Sequence, residues 1–266
     1  LIKELDSFKH KVMYYGPLPE AQLKSDLDAY HDIPSVLKPV PPPQKFEQLE
    51  NLEDKVYVVN YDMVQAEIIM LSLKDNFNKD NMPVISLFNE YFGGSMSSIT
   101  FQEMRESKAL AYSVFSTYRT PDVSDNRSYV YAYIGTQADK LPEAMKGMFE
   151  LMNDLPKSDV TFNTSKNAII QQIETERITT TNVLFNYLNA QKLGLNEDIR
   201  KHIYDNVSSL TFEDIKNFHN SNVKDSKYTI MVLGNRDKLD METLQKYGKV
   251  EFLTLDDIFG YGNPAP

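Results

Sequence analysis

Two side chains in this sequence are suited by type and spacing to polarising a carbonyl, Arg105 and Tyr112. Arg carries a planar fork of donors for carbonyl or carboxylate oxygens. A Tyr hydroxyl supplies one donor that can reach a developing oxyanion. Seven positions separate the pair. That spacing spans the end of a predicted helix and the turn after it, so both side chains can meet on one side of the connection. From spacing alone a plainer arrangement is favoured: Arg105 paired to Glu103 or Glu106 on the helix surface, and Tyr112 half-buried in a strand. Ahead of them stands Gly93-Gly94-Ser95. Gly-Gly before a helix can offer backbone N–H groups to an anion or a peptide carbonyl. It also serves simply as a turn with a Ser cap, and it lacks both a phosphate-loop Lys and a G-x-S-x-G elbow.

Other chemistry is poorly provided for. The histidines are His10, His31, His202 and His219, and none lies within four residues of another. Neither H-E-x-x-H nor H-x-x-E-H is present. His202 and His219 read as surface or hydrogen-bonded residues of helices. There is no cysteine, so disulfides, thiolate metal sites and thiol catalysis are excluded. The net charge of −10 argues against binding a nucleic-acid backbone, which needs a basic footprint. No run approaches the roughly 18 apolar residues of a membrane span, and Leu1 to Gly16 has no apolar core of a signal peptide.

The elements that must position Arg105 and Tyr112 follow from periodicity. Strands are predicted over 55–61, 66–73, 112–120, 127–136 and 228–233, with a further short strand at Lys11–Tyr15. Tyr112 and Tyr118 fall on one face of their strand. Tyr129, Tyr131 and Tyr133 share a face of the next, either as cross-strand packing or as an aromatic wall beside a peptide. Helices are predicted over 19–29, over 81–92 with Pro83 in the first turn, and over 98–108 with Ser97 or Ser98 as N-cap. The stretch 138–223 reads as mostly helical, broken near Pro156, Gly194 and Ser208-Ser209, and 240–247 as a last helix. Thr211 and Asp214 have the spacing of a capping box. The fold class is α+β: a largely antiparallel mixed sheet with helices mainly on one face.

Five prolines between Pro34 and Pro43 rule out helix or central strand there. That segment reads as an extended linker. Lys9–Gly16 and Lys227–Gly234 match at an offset of 218, Met13 on Met231 and Gly16 on Gly234. Each is a strand and a Gly followed by an amphipathic helix. The repeat divides the chain into a tail of a preceding homologous domain (1–33), a Pro-rich linker (34–50) and a C-terminal domain (51–266).

Phe88 to Tyr118 also resembles the zinc-free C-terminal half of the pitrilysin/insulinase family of zinc peptidases, which includes the mitochondrial processing peptidases. The resemblance rests on a helix, a Gly-rich break and then Arg105-Glu106-Ser107-Lys108-Ala109-Leu110-Ala111-Tyr112-Ser113-Val114, against the pattern R-E-x-x-x-L-A-Y-x-V. It extends over about residues 45–260, and Leu253 to Tyr261 is similar to the ending of bacterial members. It implies a chain that binds no cofactor itself. Its partner would be a zinc-bearing N-terminal half, in the same polypeptide or in a separate subunit, and a peptide substrate would lie in a chamber between them. Arg105 would hold a substrate backbone carbonyl and Tyr112 would donate to the tetrahedral intermediate. Gly93, Gly94 and Ser95 would be a substrate-contacting segment. Some relatives serve only as scaffolds of larger complexes, and a stand-alone peptide-binding module is a third possibility. Bacterial members are often periplasmic, which a Cys-free composition permits.

Overall fold

The computed structural model describes residues 2–44 and 46–260. Leu1 of the tail, Lys45 of the linker and Tyr261 of the C-terminal motif lie outside the described residues. Alternating apolar runs rich in Val, Ile and Tyr form β1 (Lys55–Asn60), β2 (Gln65–Asn76), β3 (Ser113–Arg119), β4 (Arg127–Gln137) and β5 (Thr229–Gly234). A sixth strand, β6 (Lys249–Leu253), completes one mixed sheet in the order β3-β4-β2-β5-β1-β6. The neighbours from β3 to β5 are antiparallel, whereas β1 runs parallel to both β5 and β6. Sequence pattern does not single out β6, because KVEFL is short and two of its five residues are charged, and its pairing with β1 makes it a strand.

The helices are α1 (Glu20–Tyr30), α2 (Met82–Phe92), α3 (Ile99–Phe101), α4 (Leu141–Asn153), α5 (Asp159–Thr175), α6 (Thr180–Lys192), α7 (Ile199–Val207), α8 (Phe212–Asn222), α9 (Met241–Lys246) and α10 (Leu255–Phe259). Their starts are chemically marked. Pro83 stands in the first turn of α2, and Thr211 and Asp214 cap α8 reciprocally. Ile68, Met70, Val130, Ala132, Ile134, Ile230 and Val232 point to one sheet face and pack in a core with Phe88, Phe92, Met145, Met148 and Ile215. Their alternates Glu67, Ile69, Tyr131, Tyr133 and Met231 lie on the other face, where they are only half-buried. Among the described residues no helix forms a layer over that second face, as period-2 alternation predicts for a half-covered antiparallel sheet.

The outer edge of β3 is closed from within the chain. Asn89 accepts from the Tyr118 N–H at 2.7 Å and donates to the Tyr118 carbonyl at 3.0 Å. The Ser116 N–H donates to the Gly93 carbonyl at 3.3 Å. The end of α2 therefore occupies hydrogen-bonding groups that would otherwise be open to strand addition.

Two expectations are corrected here. Lys11–Tyr15 forms no strand: Val12 and Tyr15 are exposed and, among the described residues, no neighbouring strand takes up the backbone donors and acceptors. A strand needs a partner, and among the described residues the nearby bridge joins Phe8 to Lys38, outside the segment. Secondly, Tyr112 and Tyr118 do not share a face, since Tyr118 is buried and Tyr112 is exposed outside β3. Of the two readings for His219, surface or hydrogen-bonded, the second holds. It is fully buried against the rings of Phe88 and Phe92, and its Nε2 lies 3.3 Å from the Leu151 carbonyl.

Burial holds the His219 imidazole below its usual pKa, because the charged form loses its hydration. A group whose folded pKa is depressed below the unfolded value near 6.5 binds fewer protons folded than unfolded. Stability is therefore complete above about pH 6.5 and falls as pH drops below it. The expected result is a Tm that declines on acidification from pH 7 to 5. His219→Phe should flatten that part of the profile in thermal scans, whatever it does to Tm at pH 7.

Candidate functional site

The segment carrying Arg105 is built from its cap onward. The Ser98 hydroxyl donates to the Ser95 carbonyl at 2.6 Å and accepts from the Phe101 N–H, starting α3. The predicted single helix over 98–108 is then corrected. After one turn of α3 the chain widens into a π-helical stretch over Gln102–Ser107. The Lys108 N–H donates to the Glu103 carbonyl, and the Leu110 N–H donates to the Met104 carbonyl at 2.8 Å. Such wide turns are rare overall and are frequent at functional sites. Met104 anchors this one, fully buried beside Gly147.

Arg105 lies next to that anchor and points outward, its side chain 40% exposed. Its guanidinium carbon is 4.8 Å from the ring centre of Phe101 and 5.8 Å from that of Tyr112. The structure therefore brings Arg105 and Tyr112 together through a cation–π contact. Glu106 also stands 3.8 Å from Arg105 Nε, while Glu103 pairs with Lys108. The half-buried strand position considered for Tyr112 does not apply, since the residue is 74% exposed and precedes β3. Its N–H donates to the Gly135 carbonyl at 2.8 Å, which ties the backbone to β4 and leaves the ring in the open. Phe101 was not singled out in the sequence, although its place four residues before Arg105 is one helical turn and makes contact on one face legible.

Between the two sits Ala109, with φ at +49°. A non-glycine residue is strained in this left-handed region by roughly 1–2 kcal/mol. The conformation is held by Lys140, which donates to the Ala109 carbonyl at 2.9 Å, and by Thr136, whose hydroxyl donates to the Leu110 carbonyl at 2.6 Å. This turn swings the chain from the π-helix into β3 and sets Tyr112 beneath Arg105. Ala109→Gly should remove the strain while adding backbone entropy to the unfolded chain. The expected net effect is a gain of up to about 1 kcal/mol in unfolding free energy, read from urea titrations.

Gly93, Gly94 and Ser95 are used differently. The N–H groups of Gly93 and Gly94 both donate to the Asn89 carbonyl, at 3.1 and 2.7 Å. They are not free donors for an anion or a substrate carbonyl. Ser95 gives its carbonyl to Ser98, and its hydroxyl lies 3.1 Å from the Ser97 hydroxyl and 3.3 Å from the Glu90 carbonyl. Phe115 packs between Tyr131 and Tyr133 on the open face, at 5.5 and 5.4 Å between ring centres. Among the described residues no three His, Asp or Glu side chains come together as metal ligands. None of the described helices is long and apolar enough to cross a membrane.

A family model described as the peptidase M16 inactive domain matches residues 10–169. The chain belongs to the peptidase M16 family, in its inactive domain. It is also similar to an uncharacterized zinc protease, YmxG, of Bacillus subtilis strain 168, with 34% identity over 82 residues. That alignment covers 31% of this chain and 19% of the relative. Solved structures share the fold. A peptidase M16 inactive domain from Pseudomonas fluorescens superposes with a TM-score of 0.62 at 17% identity, over 75% of this chain and 48% of that one. A conserved protein from Enterococcus faecalis V583 gives 0.63 at 12% identity, over 82% and 50%. A protease from Helicobacter pylori gives 0.61 at 14% identity, over 81% and 53%. The chain thus spans about a fifth of the curated relative and about half of each of these structures.

Proposed function

We propose that this chain is the substrate-holding, zinc-free half of a bipartite zinc metalloendopeptidase that degrades peptides in an enclosed chamber. The zinc-bearing half, in the same polypeptide or in a second subunit, activates the attacking water. The observation that carries this reading is the joint presentation of Arg105 and Tyr112, in cation–π contact and exposed just before β3. Arg105 offers N–H donors to a substrate backbone carbonyl. Tyr112 offers its hydroxyl to the oxyanion that develops on the scissile carbonyl. The π-helical stretch and the Ala109 turn hold both donors in advance, which is what preorganised stabilisation requires. In this arrangement residues 1–33 end a preceding homologous domain, residues 34–50 link, and residues 51–266 form the half that carries the pair.

The test is cleavage of a fluorogenic peptide by this chain alone, by the zinc-bearing half alone, and by the two together. Activity is expected only in the combination and should fall when Arg105 or Tyr112 is replaced. Full activity of the zinc-bearing half by itself would remove the role. Inert mixtures that nonetheless assemble would favour a scaffold derived from the same family.

A further inference from the structure

The open sheet face beside Tyr112 carries a carboxylate whose place suggests a specificity role. Ser113 of β3, Gly135 of β4 and Glu67 of β2 stand in one row across the sheet, because Ser113 pairs with Gly135 and Gly135 pairs with Glu67. Gly135 has no side chain. A Cβ there would lie 2.9 Å from the Tyr133 hydroxyl oxygen and 3.2 Å from Glu67 Oε2, so the Tyr133–Glu67 pair leans over the glycine. The Tyr133 hydroxyl donates to Glu67 Oε2. Burial, together with this bond to Glu67, pushes the Tyr133 phenol up to about 12, so it remains a donor throughout the neutral range. Phe115 stacks on Tyr133 and completes an aromatic floor beside the carboxylate.

The neighbouring aromatics show what such a floor accepts. Arg105 stands over Tyr112, and Arg119 stands over Tyr131 at 5.4 Å from its ring centre. Among the described residues no Lys or Arg faces the Tyr133 ring or pairs with Glu67. Glu67 keeps acceptor capacity after the Tyr133 bond, since a carboxylate offers about four lone-pair sites. We infer that Glu67, with Tyr133 and Phe115, forms a subsite for a basic side chain of a bound peptide, Lys or Arg. Strands lie about 4.8 Å apart, so Glu67 is about 10 Å along the row from Ser113, the neighbour of Tyr112. An extended peptide covers that in about three residues. The basic residue therefore lies about three positions from the one held at Arg105 and Tyr112. This inference rests on the peptide-binding reading above.

The experiment uses the complete protein with its zinc-bearing half. Fluorogenic peptides differ only by Arg or norleucine, placed in turn at each of the four positions on either side of the scissile bond. The wild type should prefer Arg at one position, with a kcat/KM ratio of about tenfold for a partly shielded charged contact. Glu67→Gln keeps an acceptor for Tyr133 and should collapse that ratio towards one. Glu67→Lys should shift the preference to an acidic residue at the same position. An unchanged ratio in Glu67→Gln, or no positional preference for Arg in the wild type, overturns the subsite. Fluorescence anisotropy of the same peptides gives a second readout, and no peptide binding or cleavage by the full protein overturns both proposals. Tyr112→Phe should lower the two rates together and leave the ratio alone. If it leaves the rates intact while Glu67→Gln erases the ratio, the Arg105–Tyr112 role fails and the subsite stands.

Discussion

Replacing Tyr112 by Phe is expected to lower kcat/KM of the assembled peptidase by about 10²-fold or more, with most of the loss in kcat. A single preorganised donor to a developing oxyanion is worth that much in known acyl-transfer sites. The substitution deletes one oxygen and leaves the ring on which Arg105 stacks. Because Tyr112 is largely exposed and lies outside β3, its effect on stability should stay within about 0.5 kcal/mol. Lost turnover could therefore not be explained by misfolding, and equal Tm values for the two proteins would check this directly. Arg105→Ala differs in kind. It removes donors for the substrate and also the cation resting between the Phe101 and Tyr112 rings. A raised KM should accompany the fall in kcat, because a ground-state contact is lost together with the alignment of Tyr112. If both variants keep the kcat/KM of the wild type, neither residue takes part in peptide hydrolysis. An effect of Arg105→Ala alone would leave substrate binding to this chain and take the oxyanion role from Tyr112.

The contact that makes these predictions specific is only half legible in the sequence. Seven positions between Arg105 and Tyr112 allow the side chains to meet, but an ordinary α-helix over 98–108 would set their directions differently. The π-helical stretch depends on Met104 reaching the core beside Gly147, forty-three residues later, and no local pattern encodes that. The Ala109 turn is equally hidden, because alanine is a strong helix former and carries no sign of a left-handed conformation. Hydrogen bonds from Lys140 and Thr136 hold it, and both come from the far end of β4 and the turn after it. By contrast, the strands near the site could be read directly. Tyr129, Tyr131 and Tyr133 alternate with Val130, Ala132 and Ile134, and the split between open and buried faces follows from that period. The capping box of α8 was readable for the same reason, being local: Thr211 and Asp214 need only each other's backbone. Lys11–Tyr15 shows the opposite limit. It matches β5 in sequence, yet β5 lies between β1 and β2 and the earlier copy has no such neighbours among the described residues.

Gly93→Ala should cost about 3 kcal/mol of stability or more, and it should disturb the site from behind. A Cβ on Gly93 would lie 2.4 Å from the Ser116 carbonyl oxygen and 2.5 Å from the Ser116 nitrogen. Both atoms are backbone in β3, so no side-chain rotation relieves the overlap. Overpacking a well-filled interior costs about 1–3 kcal/mol where side chains can adjust, and occasionally more where they cannot. Relief requires α2 and β3 to move apart, which breaks the bond from the Ser116 N–H to the Gly93 carbonyl and loosens the Asn89 clasp on Tyr118. Gly94→Ala meets one nearby group, the Asn89 carbonyl at 2.8 Å, and should cost less. The order Gly93 above Gly94 in urea-unfolding free energies separates the structural account from one in which both glycines merely admit a peptide. A substrate-contacting role alone would leave the stability of both variants near that of the wild type while raising KM. The packing account puts the larger loss in stability, and any loss of kcat/KM then follows from the displaced start of β3, where Tyr112 is tied to Gly135.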